Sequence, residues 1–293
     1  MRIFITGITG YIGSHLARSL LPEHSVFGLA RAPFRTDYLA DIQNQITLYP
    51  YHGHAEDLMA GLQDCRPDLV FHLAAHYTGA HDFTAMTALL DANITLGAYL
   101  LEAMVQCGCS HLIYAASVME NYQNQAYAPV NLYAATKQAF EDLLRYYSDQ
   151  ELIRAGGIVL SDTYGPEDRR PKILNLIHQA ARTQTPIDLS DGLQEYAAVY
   201  IDDVTRAFRM AGEQLVAGSW KNQKFQVLPD TVYSLRDTVE KMLHVCGHTA
   251  DTRWGKRPAN GPQIQKTIRL YPPVPGWQPE VSLVDGLKRA FDE

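Results

Sequence analysis

Tyr133 and Lys137 stand four residues apart in Tyr133-Ala134-Ala135-Thr136-Lys137. On a helix that spacing puts a phenol and an ammonium on one face. A neighbouring cation lowers a phenol from its usual pKa of about 10 and makes it usable as an acid or a base. Ser117 follows the apolar run His111–Ala116. Its hydroxyl therefore sits at the C-terminal end of an expected strand, where α/β sheets bind their ligands. A hydroxyl there can orient a carbonyl or hydroxyl oxygen. A Tyr-x-x-x-Lys pair alone is common by chance. With the strand-end serine, and with the glycine turn described next, it points to proton transfer at an oxygen.

The glycine turn is Thr6-Gly7-Ile8-Thr9-Gly10-Tyr11-Ile12-Gly13, between the strand Arg2–Thr6 and a helix over Ser14–Leu21. Gly7 permits a sharp turn, Gly10 lets the backbone approach a pyrophosphate, and Gly13 lets the helix pack on the strand. The helix N-terminus offers free N–H groups and a positive dipole end. Gly7, Thr9, Gly10, Tyr11, Ile12 and Gly13 are thus candidate dinucleotide-binding residues. The second strand decides which dinucleotide, because an acid at its end would hold the ribose hydroxyls of NAD. Here the strand reads Val26-Phe27-Gly28-Leu29-Ala30-Arg31, with Ala30 at that position and Arg35 close by. A guanidinium from Arg31 or Arg35 suits a 2′-phosphate. The expectation is NADP, used as NADPH, with NAD as the alternative.

These residues need a scaffold. Strands are expected at Arg2–Thr6, Ser25–Ala30, Ile46–Tyr49, Leu69–Leu73, His111–Ala116 and Gly157–Leu160. Helices are expected at Phe83–Val105 and Asn131–Leu152. Alternating strands and helices predict an α/β fold with a doubly wound parallel sheet. The pattern changes at Tyr164-Gly165-Pro166, and Pro and Gly crowd the stretch from Pro258 to Pro279. Residues 1–163 are therefore read as the dinucleotide-binding domain and 164–293 as a smaller C-terminal substrate domain. A segment at about 198–228, with a helix around Asp202–Leu215, is expected to return to the sheet.

Composition removes other classes. The 293 residues are 46% hydrophobic and 19% charged, with a net charge of −7. That composition supports a packed core and offers no basic run for nucleic acid or an anionic membrane. Cys65, Cys107, Cys109 and Cys246 show no disulfide spacing, and Cys107-Gly-Cys109 lacks a second pair for zinc, so no metal is expected. No leader and no apolar run of membrane length is evident, so a cytoplasmic location is expected. His72 reads as a packed strand residue. His76 and His81 lie in the loop after it, within reach of a ligand. Arg169, Arg170 and Lys172 precede an amphipathic helix that can border the same ligand.

The chain resembles the extended branch of the short-chain dehydrogenase/reductase superfamily, which holds nucleotide-sugar epimerases, dehydratases and reductases. The likeness spans nearly the whole sequence: Thr6–Gly13, Asp68–Ala75, Asn93, Ser117, Tyr133/Lys137, Tyr164–Pro166, Tyr200–Asp203 and Gly276–Pro279. It implies a Rossmann-like fold and a nucleotide-diphosphate sugar as substrate. It implies that Tyr133 exchanges a proton with a sugar oxygen, that Lys137 also holds the nicotinamide ribose, and that Ser117 binds the reacting oxygen. Asn93, Leu73, Ala74 and Ala75 fall on the cofactor side. His76, Val118, Met119, Lys172 and Arg257 fall on the substrate side. The family commonly dimerises through two helices per subunit, here Phe83–Val105 and Asn131–Leu152, so a homodimer is expected.

Val26–Arg31, Asn131–Gln138, Gly192–Gln194 and Ser282–Leu287 resemble more closely the family's CDP-paratose and CDP-abequose synthases. A dehydratase of the family carries Asp-Glu directly after the strand-end hydroxyl; Val118 and Met119 occupy those places and transfer no proton. An epimerase usually keeps NAD with an acid at the Ala30 position. The expected reaction is NADPH-dependent reduction of the C4 keto group of a nucleotide-linked deoxy sugar, with the CDP-4-keto-3,6-dideoxyhexose class preferred. A 4-epimerase with tightly bound NAD is the alternative, and a non-enzymatic dinucleotide sensor comes third. Two departures stand out. Gln194–Ala198 replaces the family's Arg-Asp-Phe, leaving Arg257 for the substrate phosphate. His54, with Asp57 nearby, replaces the adenine-contacting Asp.

Overall fold

The computed structural model describes residues 1–258 and 262–291; part of the Pro- and Gly-rich stretch, 259–261, lies outside the described residues. Ile3, Phe4, Ile5 and Thr6 are fully buried in β1 (Arg2–Thr6). A short β-branched and aromatic run covered on both faces is what a central parallel strand requires. β2 (Ser25–Arg31), β3 (Thr47–Tyr51), β4 (Leu69–His72), β5 (His111–Ser117) and β6 (Arg154–Leu160) join it, with a seventh strand at Gln223–Val227. The order is Gln223–Val227, β6, β5, β4, β1, β2, β3, and every pairing is parallel. The doubly wound sheet is therefore present. Its strand order reverses between β1 and β4, and ligands bind at the carboxyl edge of such a switch point.

One face of the sheet packs Ile3, Ile5, Phe71 and Ile113 under α1 (Tyr11–Leu20). The other packs Phe4, Val70, Leu112 and Val159 under three helices. These are α2 (Ala55–Cys65), α4 (Leu96–Gln106) and α5 (Leu132–Asp149). The expected long helix from Phe83 is divided into α3 (Phe83–Leu90), a π-helical turn at Asp91–Thr95, and α4. Such turns are frequent at functional sites. Phe83–Gln106 is long and apolar enough to cross a membrane, which corrects the expectation that no such run exists. Half of that window is buried inside the protein, with Leu89, Leu96, Leu100, Leu101 and Met104 in the core, so packing accounts for its apolar character.

Beyond β6 come α6 (Ile173–Thr183), α7 (Ile201–Val216), Leu235–Val245 and Leu283–Phe291. α7 returns to α1 and to β5 and β6, as expected for Asp202–Leu215. Tyr164, Ile177, Tyr200, Leu235, Met242 and Leu287 form a separate core around the remaining helices. Asp203 ties the last segment down. Its buried carboxylate accepts the Glu280 and Val281 N–H groups at 2.9 and 3.0 Å, and its carbonyl accepts Trp277 Nε1–H at 2.9 Å. Two separate family-like stretches, Tyr200–Asp203 and Gly276–Pro279, thus meet in space.

Candidate active site

Gly7 follows β1 with φ of +74°, and a Cβ there would lie 2.6 Å from the Ala74 nitrogen. A Cβ on Gly13 would lie 2.2 Å from the Gly7 carbonyl oxygen. Both positions therefore exclude side chains, and the first turn of α1 is pressed against the loop after β1. The result is a groove of about 220 Å³ lined by Gly7, Thr9, Gly10, Arg31, Leu73, Ala74 and Ala75. Leu29, Tyr51, Ala92 and Leu96 complete it and had no place in the sequence reading. Bare backbone at a helix N-terminus, with a guanidinium at the far end, fits a dinucleotide.

Tyr11, Ile12, Gly13 and Arg35 are not among the groove's lining residues. The Tyr11 ring is buried against His15 and Tyr38, with the Arg170 guanidinium 4.5 Å from its centroid. The Ile12 side chain packs between two cores, and Gly13 lets α1 approach the Gly7 carbonyl. The Arg35 side chain is 88% exposed and pairs with Asp37 at 3.2 Å, so only Arg31 reaches the groove. His54 is the N-cap residue of α2 and is not among the lining residues, whereas Tyr51 is. Asp57 is occupied by the His52 backbone N–H at 2.6 Å.

Asn131 caps α5 by accepting the Ala134 N–H at 2.8 Å, which presents Tyr133 and Lys137 on consecutive turns. Asn93 lies in the π-helical turn and is 2% exposed. Its amide oxygen accepts the His76 N–H at 2.7 Å. Its amide nitrogen donates to the His76 carbonyl at 3.0 Å and to the Thr136 hydroxyl at 2.9 Å. Thr136 in turn donates to the Tyr133 carbonyl at 2.8 Å. Asn93 therefore pins the loop after β4 to the helix of Tyr133, and it touches neither groove nor cleft. His76 is held by its backbone and is not among the lining residues of either space.

Ser117 is the last residue of β5 and is 9% exposed. Its N–H donates to the Glu120 carboxylate at 2.6 Å, and its hydroxyl oxygen accepts the Met119 N–H at 3.2 Å. The hydroxyl proton stays available for a ligand oxygen. The Tyr77 ring packs edge-on against Tyr133 with centroids 5.1 Å apart. Burial pushes the Tyr133 phenol up, with Glu120 and then Tyr77 adding to it. The expected lowering by Lys137 is therefore corrected: the protein alone holds this phenol protonated. Burial lowers Lys137, while Glu120 and Glu141 oppose that shift. His72 is the packed residue expected. Its Nδ1 lies 2.7 Å from the Thr6 hydroxyl, and burial, then Lys137, takes it down to about 3.

A second cleft, of about 550 Å³, adjoins this end of the sheet. Tyr77, Val118, Met119, Val130 and Asn131 form one wall, and Gln194–Ala197 with Arg257 form another. Ser117 and Tyr133 are not among its lining residues. Val118, which follows Ser117, and Tyr77, which packs on Tyr133, are. Lys172 is not in the cleft; its ammonium pairs with Asp162 at 3.0 Å. Arg169 and Arg170 also turn away, onto Tyr38 and Tyr11. Of the basic residues considered for a substrate phosphate, Arg257 alone faces the cleft.

The model of the NAD-dependent epimerase/dehydratase family matches residues 3–226. The chain belongs to that family. As an epimerase/dehydratase-family protein it is an enzyme of the oxidoreductase type. It is 28% identical to the CDP-abequose synthase of Yersinia pseudotuberculosis, over 82% of each chain. It is 25% identical to the UDP-glucose 4-epimerase of Mycolicibacterium smegmatis, over 100% of this chain and 98% of that one. A solved structure of UDP-glucuronic acid 4-epimerase from Bacillus cereus, in complex with UDP-glucuronic acid and NAD, shares the fold. Its TM-score is 0.85 at 22% identity, over 99% of this chain and 98% of that one.

Three groups at this family site escaped the sequence reading: Glu120, Lys224 and Glu141. Lys224 Nζ lies 2.8 Å from the Glu141 carboxylate and 3.8 Å from that of Glu120. Ser117-x-x-Glu120 has the spacing of a capping box, which was the one available signal for Glu120.

Proposed function

We propose that the protein is an NADPH-dependent reductase of the C4 keto group of a nucleotide-linked deoxy sugar, with CDP-4-keto-3,6-dideoxyhexoses preferred. The observation that carries this reading is the far end of the dinucleotide groove. Arg31 lines it, and Ala30 stands where an NAD enzyme of this kind carries its acid. The groove backbone at Gly7, Thr9 and Gly10 would hold the pyrophosphate, Arg31 the 2′-phosphate and Lys137 the nicotinamide ribose. The cofactor, when bound, supplies the hydride. Tyr133 gives its proton to the forming alkoxide, Ser117 donates a hydrogen bond to the same oxygen, and the Lys137 charge stabilises it.

The cleft supports the deoxy sugar. Tyr77, Val118, Met119 and Val130 offer an apolar wall that suits a ring lacking hydroxyls. Arg257 is placed for the diphosphate. Elimination chemistry lacks its acid and base. Val118 and Met119 carry no ionisable group, and Glu120 is fully buried and does not line the cleft. The likeness to CDP-abequose synthase supports the CDP class. The likeness to UDP-sugar 4-epimerases supports a second reading, a 4-epimerase with retained NAD. A homodimer through α3 and α5 is part of the proposal. Phe83, Met86, Leu90, Leu143 and Tyr146 leave apolar surface exposed on those helices.

The test combines cofactor content with turnover. The purified protein is assayed for bound NAD, then screened with NADPH against CDP-, GDP-, dTDP- and UDP-linked 4-keto-deoxy sugars. Empty protein that oxidises NADPH with a CDP sugar supports the reductase. Retained NAD with interconversion of C4 epimers supports the second reading.

A further inference from the structure

Tyr133, Lys137 and Glu141 recur at intervals of four on α5 and so share one face. Behind that face lies Glu120, fully buried. One of its oxygens accepts the Ser117 N–H at 2.6 Å; the other has no hydrogen-bond partner and lies 3.8 Å from Lys224 Nζ. Lys224 comes from the seventh strand, opposite Gly157 of β6. A Cβ on Gly157 would sit 2.6 Å from the Tyr114 hydroxyl oxygen and 3.0 Å from Lys224 Cγ, so glycine leaves room for the lysine stem. The Lys224 ammonium lies 2.8 Å from Glu141 and 5.0 Å from the Tyr271 ring centroid.

Two carboxylates therefore share the Lys224 ammonium beside the Ser117 turn, and Lys137 lies one helical turn from Glu141 on the same face. A buried charge is costly unless paired, so each of the four depends on the others. The charged and titratable groups around Glu120 are Lys137, Tyr133 and Glu141 on α5, Lys224 on the seventh strand and Tyr114 on β5, while Tyr271 from the C-terminal segment faces Lys224. Burial, reinforced by Glu141, holds the Glu120 carboxyl well above the ordinary carboxylate range; Lys224, Lys137 and the Ser117 N–H oppose this.

We propose that Glu120 is a positioning residue for proton transfer at Tyr133: braced by Lys224 and Glu141, its carboxylate holds the Ser117 turn and keeps Lys137 charged, and its protonation weakens both. This rests on the reading of Tyr133 as the proton donor. The sign follows from the charges. Acid converts Glu120 to a neutral carboxyl, which is a poorer acceptor for the Ser117 N–H and no counter-charge for Lys137. The Lys137 ammonium, which burial already disfavours, then loses a counter-charge that stabilises it. Activity falls on the acid side.

The test has an arm that needs no substrate. The protonated-carboxyl band in the infrared spectrum of the intact protein is titrated with pH. Wild type shows a carboxyl with a midpoint above the ordinary range, and Glu120→Gln lacks it. Lys137→Met and Lys224→Met each raise that midpoint by about 1 unit or more, since each removes a cation. A missing band, or a midpoint that ignores Lys137→Met, overturns the coupling. In the kinetic arm, the acid limb of kcat shares that midpoint, follows it in Lys224→Met and disappears in Glu120→Gln. The Gln amide oxygen still accepts the Ser117 N–H, so a merely structural role predicts an unchanged pH profile in Glu120→Gln; that result overturns the proposal. No turnover with any sugar, with the infrared shifts intact, refutes the reductase reading and upholds the coupling. Should Glu120→Gln fail to fold, the two lysine variants decide.

Discussion

Replacing Arg31 with alanine removes the one guanidinium that lines the dinucleotide groove. Arg31 has no ion-pair partner among the described residues, so the change breaks no ion pair and should leave folding intact. A charge-assisted hydrogen bond contributes about 1.5–3 kcal/mol, or roughly ten- to a hundredfold in affinity. Arg31 is exposed, so screening by solvent and salt favours the lower end, about tenfold. The perturbation should therefore weaken NADPH by about tenfold, leave NADH nearly unchanged, and shrink the salt dependence of NADPH binding. Direct titration of both cofactors at two ionic strengths reads this. Ala30→Asp, which would supply the acid of an NAD enzyme, is a poorer probe. Ala30 is 1% exposed and stands opposite Pro50 of β3, so a carboxylate there is inserted into a packed sheet. Arg31→Ala alone is the cleaner experiment. Equal affinities for NADPH and NADH in wild type, or an unchanged preference in Arg31→Ala, refute the argument and bring the NAD-dependent epimerase forward.

Tyr133→Phe keeps the ring against Tyr77 and removes the proton; kcat should fall by about 10²–10⁴-fold while cofactor titration is unaffected. Arg257→Ala should raise KM by about tenfold and leave kcat near wild type, since the guanidinium lies at the cleft wall and not at the reacting oxygen. Asn93→Ala leaves the His76 backbone groups and the Thr136 hydroxyl without their partner; chemical denaturation should show a loss of about 2–3 kcal/mol. Gly13→Ala puts a methyl group 2.2 Å from a backbone oxygen; the expected result is loss of cofactor binding and a lowered Tm.

The parts of this molecule that were legible in sequence are those whose chemistry is local. β1 and the glycine turn declare themselves in eight consecutive residues, and Tyr133 and Lys137 lie one helical turn apart. α2 was not legible because its cap is a histidine that makes no side-chain cap bond, and Gly61 interrupts its interior. The strand Gln223–Val227 alternates polar and apolar residues, as a surface strand does. Its Gln226 is nevertheless 2% exposed, because its amide bonds the Ile268 carbonyl and the Leu270 N–H. Those partners are more than forty residues away. The same distance hid Lys224, whose partner Glu141 lies on another element. Lys172, Arg169 and Arg170 have partners that the sequence did not disclose. Their positions suited a substrate phosphate, but Asp162, Tyr38 and Asp168 hold them.

The central claim is hydride delivery to C4 without return. It is tested most directly by incubating the purified protein with NADPH deuterated at the transferred position and a CDP-4-keto-3,6-dideoxyhexose, followed by mass spectrometry of the sugar. The account predicts one deuterium at C4 of the product and one NADP formed per sugar reduced. A product free of deuterium, with the added NADPH untouched and the C4 epimers interconverted, would contradict it.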